Sequence, residues 1–316
     1  SHIRNEGDQV LEAVDELIKI AKNANIRAEI YHLKASRKAN WGLLDNIIQK
    51  VEKARSEGLK ITADMYTYNA SSTGLTGVIP TWVQEGGHRA WINRMQQKEP
   101  RERLIQDIKK ELEQQPPEGI LMVGFNKDSM KKKYIGMTIA EAAKIRNQSP
   151  EEAIIDLVIE DDSRIQCIYF SMSEDNIRKK IKLPWVSFCS DAGSYSNPPN
   201  GFRTHPRAFG SFIRVLGKYS RDEGLITLEE GIRKLTSFPA ENLGIKDRGL
   251  LKNGFYADIV VFDPNKIKDN ATFNNPIQYA EGVEHVMVNG QIVLENGEHT
   301  NIFSGKFIKG PGYKEN

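Results

Sequence analysis

Short apolar runs and amphipathic helical patterns alternate over residues 1–68, and this alternation restricts the possible folds more than any other feature. After Asp8, which we expect to cap a helix, apolar residues recur at the spacing of one helical face. Residues 27–33 have the composition of a buried strand, and a second amphipathic helix is predicted to end at Gly58, before a strand over residues 59–65. Alternation at this length is typical of parallel βαβ units, so the sequence predicts an α/β fold.

Two histidines and an aspartate stand where predicted strands end. His2 and His32 each begin a tripeptide of a histidine, an apolar residue and a base, and His32 closes the predicted strand before it. Much later, the apolar run Val186–Phe188 leads into Asp191. On a barrel of alternating strands and helices, successive strand ends meet at one face, where metal-dependent hydrolases place their sites. On spacing alone, packing histidines explain the pattern as well as a metal site does.

These residue types suit metal-assisted amide hydrolysis. The neutral imidazoles of His2 and His32 would be good zinc ligands, and the Asp191 carboxylate could take a proton and return it to the leaving nitrogen. Lys34 and Arg207, near the same strand ends, could hold a substrate carboxylate. From the residues alone, ordinary salt bridges at the rim remain the favoured explanation of these two cations.

Four further histidines carry less of the argument. His88 is expected to be exposed, and His285 and His299 are expected to be surface or packing residues. His205 stays a candidate, because it follows a loop after the third predicted site residue and precedes a base and a helix.

The composition indicates a globular chain and excludes several kinds of partner. With 316 residues, of which 39% are hydrophobic, the chain can bury a full core and has room for two domains. The formal net charge of +2 gives no reason to expect binding to nucleic acid or to an anionic membrane. No apolar run approaches the roughly 20 residues of a membrane helix. Cys167 and Cys189 are expected to be small core residues. The composition does not identify a compartment.

The chain after residue 68 divides into three predicted parts. Residues 69–184 break the alternation, and we interpret them as a long insertion, partly a lid, with strands near residues 119–124 and 165–170. Residues 185–250 contain the next buried strand and the helices after it. Residues 251–316 change to strand periodicity and are interpreted as a small C-terminal β domain with a tail.

Short motifs predict local structure within these parts. Three capping boxes are expected at Thr138 with Glu141, Ser149 with Glu152, and Thr227 with Glu230. Ser71–Gly74 is expected to be a loop, and Lys131–Lys133 a solvated surface. A helix is predicted over residues 209–219, and Asn289-Gly290 predicts a tight hairpin turn.

Five segments resemble the N-acyl-D-amino-acid deacylases, which are the D-aminoacylase branch of the amidohydrolase superfamily. They are Ser-His-Ile-Arg-Asn-Glu-Gly at 1–7, Tyr-His-Leu-Lys at 31–34, Ala-Asp-Met-Tyr-Thr-Tyr at 63–68, Ser-Asp-Ala-Gly at 190–193, and His-Pro-Arg-Ala-Phe-Gly-Ser-Phe-Ile-Arg-Val-Leu-Gly at 205–217. The last segment is the most specific to this branch. Residues 254–263 and 283–290 resemble the closing β domain of the superfamily.

The resemblance implies a fold and a site. The fold would be part of a (β/α)8 TIM-type barrel, strands five to eight, with the insertion and the C-terminal β domain added. His2 and His32 would bind one or two zinc ions at the ends of strands five and six. Asp191 would be the catalytic aspartate on strand eight. The implied reaction is hydrolysis of an N-acyl-D-amino acid to a D-amino acid and a carboxylate.

The resemblance also implies how the substrate would be held. Lys34, Tyr66 and Arg207 would contact its carboxylate, with Tyr68 a near-equal alternative to Tyr66. Two other activities remain open: a related cyclic-amide hydrolase or dipeptidase, and a non-catalytic amidohydrolase-like protein. A scaffold would have no need for two histidines and an aspartate at strand ends, so the enzyme is the favoured interpretation.

One departure from the branch concerns the first half of the barrel. The His-x-His pair of strand one and the ligand of strand four, which in this branch can be a cysteine, do not occur in the sequence. Those strands would precede Ser1. We therefore expect the missing barrel half to come from the same gene product or from another chain, and we expect no activity from residues 1–316 in isolation.

Overall fold

The computed structural model describes residues 1–195 and 203–314, which form three sheets with helices packed on them. The strands in these residues are β1 (Ala28–Ile30), β2 (Ile61–Met65), β3 (Ser71–Gly74), β4 (Ile120–Gly124), β5 (Gln166–Tyr169), β6 (Val186–Phe188), β7 (Ile259–Phe262), β8 (Val283–Val288), β9 (Gln291–Glu295) and β10 (Glu298–His299). The α-helices are α1 (Val10–Ala24), α2 (Leu44–Ser56), α3 (Thr81–Gln84), α4 (His88–Gln96), α5 (Lys98–Gln114), α6 (Asp128–Tyr134), α7 (Ile139–Arg146), α8 (Pro150–Asp161), α9 (Glu174–Ile181), α10 (Arg207–Arg214), α11 (Leu228–Leu235) and α12 (Ser237–Leu243).

A parallel sheet in the order β1-β2-β6 contains the predicted strand ends. Ala28 pairs with Ile61, and Ala63 pairs with Val186, so the three strands run in one direction and their carboxyl ends meet at one edge. Helices α1 and α2 bury one apolar face each, in the same cluster as the strand residues. The predicted α/β class is confirmed. The numbering of these strands within a barrel stays a prediction.

The start of α1 and the end of β1 differ from their predictions. Gln9, not Asp8, precedes the first helical residue, and it makes no side-chain cap. The side-chain oxygen of Asn5 accepts the N–H groups of Gly7 and Gln9 in the turn before the helix, so the predicted cap at Asp8 is wrong. Strand β1 ends at Ile30, two residues before His32, which has a positive φ of 39°.

An antiparallel sheet in the order β3-β5-β4 lies within residues 69–184, the segment predicted to be an insertion, which we call the inserted region. Strands β4 and β5 lie where they were predicted, but the expected loop Ser71–Gly74 is strand β3. Its short polar side chains lack the apolar alternation that reveals a strand, and its pairing to β5 rests on the backbone. Helices α3 to α8 pack with this sheet in a second buried cluster. Helix α9 adds Ile177 and Ile181 to the cluster of the parallel sheet instead.

Two of the three predicted capping boxes are complete. Thr138 and Ser149 each accept an N–H from the Glu three residues later and receive that carboxylate on their own N–H. In the third, Thr227 accepts the N–H of Glu230, but the carboxylate of Glu230 binds Arg233. That box is therefore only half formed, because a nearby guanidinium competes for the carboxylate.

The later part of the chain ends in an antiparallel sheet in the order β10-β9-β8-β7. Asn289 and Gly290 turn between β8 and β9 with φ values of 52° and 78°, the positive values that a two-residue hairpin requires. The helix predicted over residues 209–219 begins earlier, at Arg207, and changes to a π-helix over Val215–Asp222. Across the described residues, no helix is both long enough and apolar enough to cross a membrane.

Candidate metal and substrate site

Four polar side chains meet at the carboxyl edge of the parallel sheet. Nδ1 of His2 lies 3.0 Å from Nε2 of His32. On the other side of the His32 ring, Nδ1 lies 2.9 Å from Oε1 of Glu6 and 2.8 Å from Nζ of Lys34. Lys34 and Glu6 form an ion pair at 2.5 Å. The ligand atoms of His2, Glu6 and His32 lie within 4.8 Å of one another, close enough to hold one metal ion. Among the described residues, this is the group of His, Asp, Glu and Cys side chains that converges in this way.

Backbone contacts explain why the two histidines meet. The amino group of Ser1 donates to the carbonyl of Glu29, and the Ser1 carbonyl accepts the N–H of Tyr31, so residue 1 lies alongside β1. The N–H of His32 donates to Oδ1 of Asp64 at 2.5 Å. That bond holds His32 in its left-handed conformation, which costs energy for a residue other than glycine. The strained turn directs the His32 ring toward His2.

Electrostatics favour charged Glu6 in this cluster. Burial alone would raise the pKa of the Glu6 carboxyl, but hydrogen bonds from His32 and Lys34 and their positive charges lower it to about 2. Burial lowers the pKa of His2, partly opposed by the charge of Glu6. Burial also lowers the pKa of Lys34, again opposed by Glu6. Burial therefore favours neutral imidazole at His2, whereas the carboxylate of Glu6 opposes that effect and stabilises the positive charge of Lys34.

Asp191 and Arg207 form a second pair at the same edge. Asp191 lies three residues after β6, with a positive φ of 48°, and one third of its side chain is exposed. Its Oδ2 lies 2.6 Å from Nη1 of buried Arg207, at an angle that does not make a directed hydrogen bond. Nε and Nη1 of Arg207 have no hydrogen-bond partner among the described residues. Because Nη1 is already ion-paired with Asp191, Nε is the one of these two buried donors that is left for a ligand.

The structure distinguishes the two tyrosines. The guanidinium of Arg207 lies 4.6 Å above the ring of Tyr66, and Nζ of Lys34 lies 5.9 Å from the same ring. The hydroxyl of Tyr66 contacts the sulfur of Met172 at 3.3 Å. Tyr68 donates to Asp269 and is buried away from the edge. Tyr66 is therefore the tyrosine that lies between the two candidate cations.

His205 is held as a structural residue. It is buried, its Nε2 lies 2.8 Å from the carbonyl of Ala70, and its Nδ1 accepts the N–H of Arg207. Burial lowers the pKa of His205 to about 3, so the ring is neutral near pH 7. Both ring nitrogens are hydrogen-bonded, so the ring connects the start of α10 to the loop that follows β2. His205 positions Arg207.

Other histidine and cysteine predictions have mixed outcomes. The His88 side chain is partly exposed and bonds Asp162 in the insertion, as its predicted surface position allows. Cys167 is buried, as expected. Cys189 is only partly buried, because it lies just beyond β6 at the open edge, and the expectation that it is a core residue is wrong.

A cavity of about 430 Å³ is lined both by this edge and by the inserted region. Asp191 and Arg207 contribute from the edge, Lys131 from α6, and Arg203 from the segment before α10. Lys131 was expected to be solvated. It is half-buried here, whereas Lys132 beside it is exposed.

Sequence comparison identifies the family of this chain. The sequence profile of the amidohydrolase family matches residues 137–294. The chain belongs to the amidohydrolase family. Curated relatives within it are the N-acyl-D-glutamate deacylase of Alcaligenes xylosoxydans xylosoxydans, 34% identical over 93% of this chain and 51% of the relative, and the D-aminoacylase of the same organism, 28% identical over 98% and 54%. The chain spans about half the length of the curated relatives it matches.

Solved amidohydrolase structures agree with these relatives. A D-aminoacylase structure is 29% identical and superposes with a TM-score of 0.74, over 96% of this chain and 54% of the other. The N-acyl-D-glutamate deacylase of Bordetella bronchiseptica, solved with zinc and a phosphonate inhibitor, is 30% identical with a TM-score of 0.73, over 93% and 52%. The resemblance to the deacylase branch drawn from the five sequence segments is thereby confirmed.

Sequence reasoning missed Glu6, although a signal for it was present. Glu6 lies four residues after His2 within the first segment that resembles the family. Glu6 lies outside any helix, and its approach to His32 and Lys34 depends on the turn before α1. Asp64 was also missed, because its contact with the backbone of His32 depends on how β1 and β2 align.

Proposed function

We propose that the protein carrying this chain hydrolyses N-acyl-D-amino acids in a zinc-dependent reaction, giving a D-amino acid and a carboxylate. The observation that carries the proposal is the convergence of His2, His32 and Glu6 at the sheet edge that also bears Asp191 and Arg207. The family membership and the names of the relatives support the same reaction.

The histidine pair fits a zinc ion. Two ligands at about 2.0–2.1 Å from a tetrahedral zinc lie about 3.4 Å apart. The 3.0 Å between Nδ1 of His2 and Nε2 of His32 is close to that separation. Glu6 contacts the opposite nitrogen of His32, as carboxylates do when they orient a ligating imidazole. We assign His2 and His32 as ligands and Glu6 as the residue that orients His32.

Asp191 is the proposed proton acceptor and donor. Zinc, when bound, would supply a Lewis acid for the amide carbonyl and for the attacking water. Asp191 would take the proton of that water and return it to the leaving nitrogen. Its position after β6, with one third of the side chain exposed, gives the carboxylate access to both.

Arg207, Lys34 and Tyr66 are proposed to hold the substrate carboxylate. Arg207 is buried and its Nε has no partner among the described residues, so a ligand carboxylate could bind Nε and compete with Asp191 for Nη1 in a two-point contact. Lys34 is buried, and its Nζ lies 5.9 Å from the centroid of the Tyr66 ring. Tyr66 would act through its ring, which supports the guanidinium of Arg207 by a cation–π contact, since its hydroxyl already contacts Met172.

We further propose that β1, β2 and β6 correspond to strands six, seven and eight of a (β/α)8 barrel, and that Ser1 and His2, alongside β1, lie at the end of strand five. In the described residues β1 and β6 are the edges of the sheet, and closed barrels have no edges. The remaining strands, with further ligands, would come from the same gene product or from another chain. The relatives are about twice as long as the matched region, which supports this proposal.

The test removes each histidine in the protein as encoded, loaded with zinc. His2→Ala and His32→Ala should each lower zinc content and reduce hydrolysis of N-acetyl-D-amino acids by about a thousandfold or more, since a metal centre contributes several kcal/mol. His88→Ala, outside the site, is the matched control and should change neither. Full zinc content and full turnover in both site variants would reject the assignment. If the protein hydrolysed only cyclic amides or dipeptides, the proposed substrate class would be wrong and these compounds would take its place.

A further inference from the structure

Two cations on the cavity of about 430 Å³ have no use in the proposed reaction. Lys131 and Arg203 are both half-buried and both line it. Neither forms an ion pair with a described residue. The carboxylate that lines the cavity among the described residues is Asp191, which is already paired with Arg207. The cavity wall therefore carries an excess of positive charge.

Arg203 packs against the inserted region at a glycine. Gly136, between α6 and α7, has a φ of +80°, and a Cβ placed there would lie 2.7 Å from Nη1 of Arg203. The absence of a side chain at Gly136 leaves the space that the guanidinium occupies. The same short region, α6, supplies Lys131. Two elements distant in sequence thus bring two cations to one cavity.

We propose that Lys131 and Arg203 form a second anion-binding site that selects N-acyl-D-amino acids with a second carboxylate, in the side chain or in the acyl group. This inference rests on the proposed function, in which Arg207 holds the first carboxylate. Arg207, Lys131 and Arg203 line the same cavity, so a substrate held at Arg207 by its α-carboxylate could place a second carboxylate within that cavity. Half-buried cations without partners bind an anion more strongly than solvated surface lysines do.

The test compares substrates that differ in one charge. N-acetyl-D-glutamate and N-acetyl-D-glutamine have nearly the same shape, and N-succinyl-D-glutamine moves the second carboxylate to the acyl group. The zinc-loaded protein should hydrolyse one of the dicarboxylates with a kcat/KM about tenfold or more above that for N-acetyl-D-glutamine. Which dicarboxylate is favoured identifies the source of the anion.

Variants assign this preference to residues. Lys131→Gln and Arg203→Gln should each lower kcat/KM for the favoured dicarboxylate by about tenfold and leave N-acetyl-D-glutamine nearly unchanged. Lys132→Gln, the exposed neighbour, is the matched control and should change neither. Calorimetric binding of the same compounds to the Asp191→Asn protein gives a readout independent of turnover, with the same order expected.

Two failures are distinguishable. If neither N-acetyl compound is hydrolysed, the proposed reaction is wrong, and the calorimetric preference for dicarboxylates still decides the anion site. If N-acetyl-D-glutamine is hydrolysed as well as the dicarboxylates, and neither Lys131→Gln nor Arg203→Gln alters the ratio, the reaction stands and the second anion site is rejected.

Discussion

Charged side chains are paired with one another at the parallel-sheet edge, whereas a cation of the inserted region is not paired within the described part of the chain. At the edge, Lys34 pairs with Glu6 and Arg207 pairs with Asp191. On the cavity shared with the insertion, Lys131 has no ion pair with any residue the structure describes. Paired groups are held in position before a ligand arrives, whereas an unpaired cation gains a partner only from the ligand. We therefore propose that the reaction takes place at the sheet edge and that the cavity cations contribute to the selection of the substrate.

Among substitutions at the parallel-sheet edge, we expect the largest effect on turnover at Asp191. Asp191→Asn should reduce kcat by about a thousandfold, because general acid–base catalysis contributes roughly 10²–10⁴. Zinc content should stay near that of the unaltered protein, since the proposal gives the ligand role to His2 and His32. Metal analysis and steady-state kinetics on one preparation check both. Turnover unchanged from that of the unaltered protein would exclude the general-base role.

A smaller effect is expected at Arg207, where the two regions share a wall. Arg207→Ala should lower kcat/KM for N-acetyl-D-amino acids by about a hundredfold, because a carboxylate in a buried site loses a charge-assisted contact worth a few kcal/mol. The corresponding amides have no carboxylate and should be affected far less. Arg207→Lys keeps the charge but not the two-point geometry, and it should lose less than Arg207→Ala. Equal losses on acids and amides would mean that Arg207 mainly holds Asp191 or the fold.

The parallel-sheet edge was largely predictable from the sequence. Val186–Phe188 is a buried strand with apolar residues on both sides of Ser187, and parallel strands bring their ends together. That geometry is sufficient to predict that His2, His32 and Asp191 share an edge. The left-handed turn at His32 was not predictable, because it depends on a hydrogen bond to Asp64 on the next strand.

The inserted region was less predictable for physical reasons. Ser71–Gly74 forms strand β3 without an apolar pattern, so nothing local distinguishes it from a loop. The cavity cations come from α6 and from the segment before α10, more than one element apart in the chain. Only the folded chain shows that Lys131, the first of three lysines, is turned inward.

The last prediction concerns how the stability of the two regions depends on pH. Lys234 is fully buried behind β6, where its Nζ donates to the carbonyls of Ile181 and Leu183. Burial lowers the pKa of Lys234 to about 8 from an unfolded value of 10.5, and the charge of Glu230 opposes part of this shift. Between these values the unfolded chain binds the extra proton, so the free energy of unfolding should increase as pH rises through this window.

Lys234→Met should remove that increase, by roughly 1–3 kcal/mol between pH 8 and 10.5. Urea unfolding of both proteins across this range measures the difference, and Lys132→Met controls for an exposed lysine. Native-state hydrogen exchange should show increased protection at high pH in β6 rather than in β5. The two strands belong to different buried clusters, β6 to that of the parallel sheet and β5 to that of the inserted region. Parallel pH profiles for the unaltered protein and Lys234→Met would contradict the burial argument, and equal gains in both strands would show that the two regions unfold as one unit.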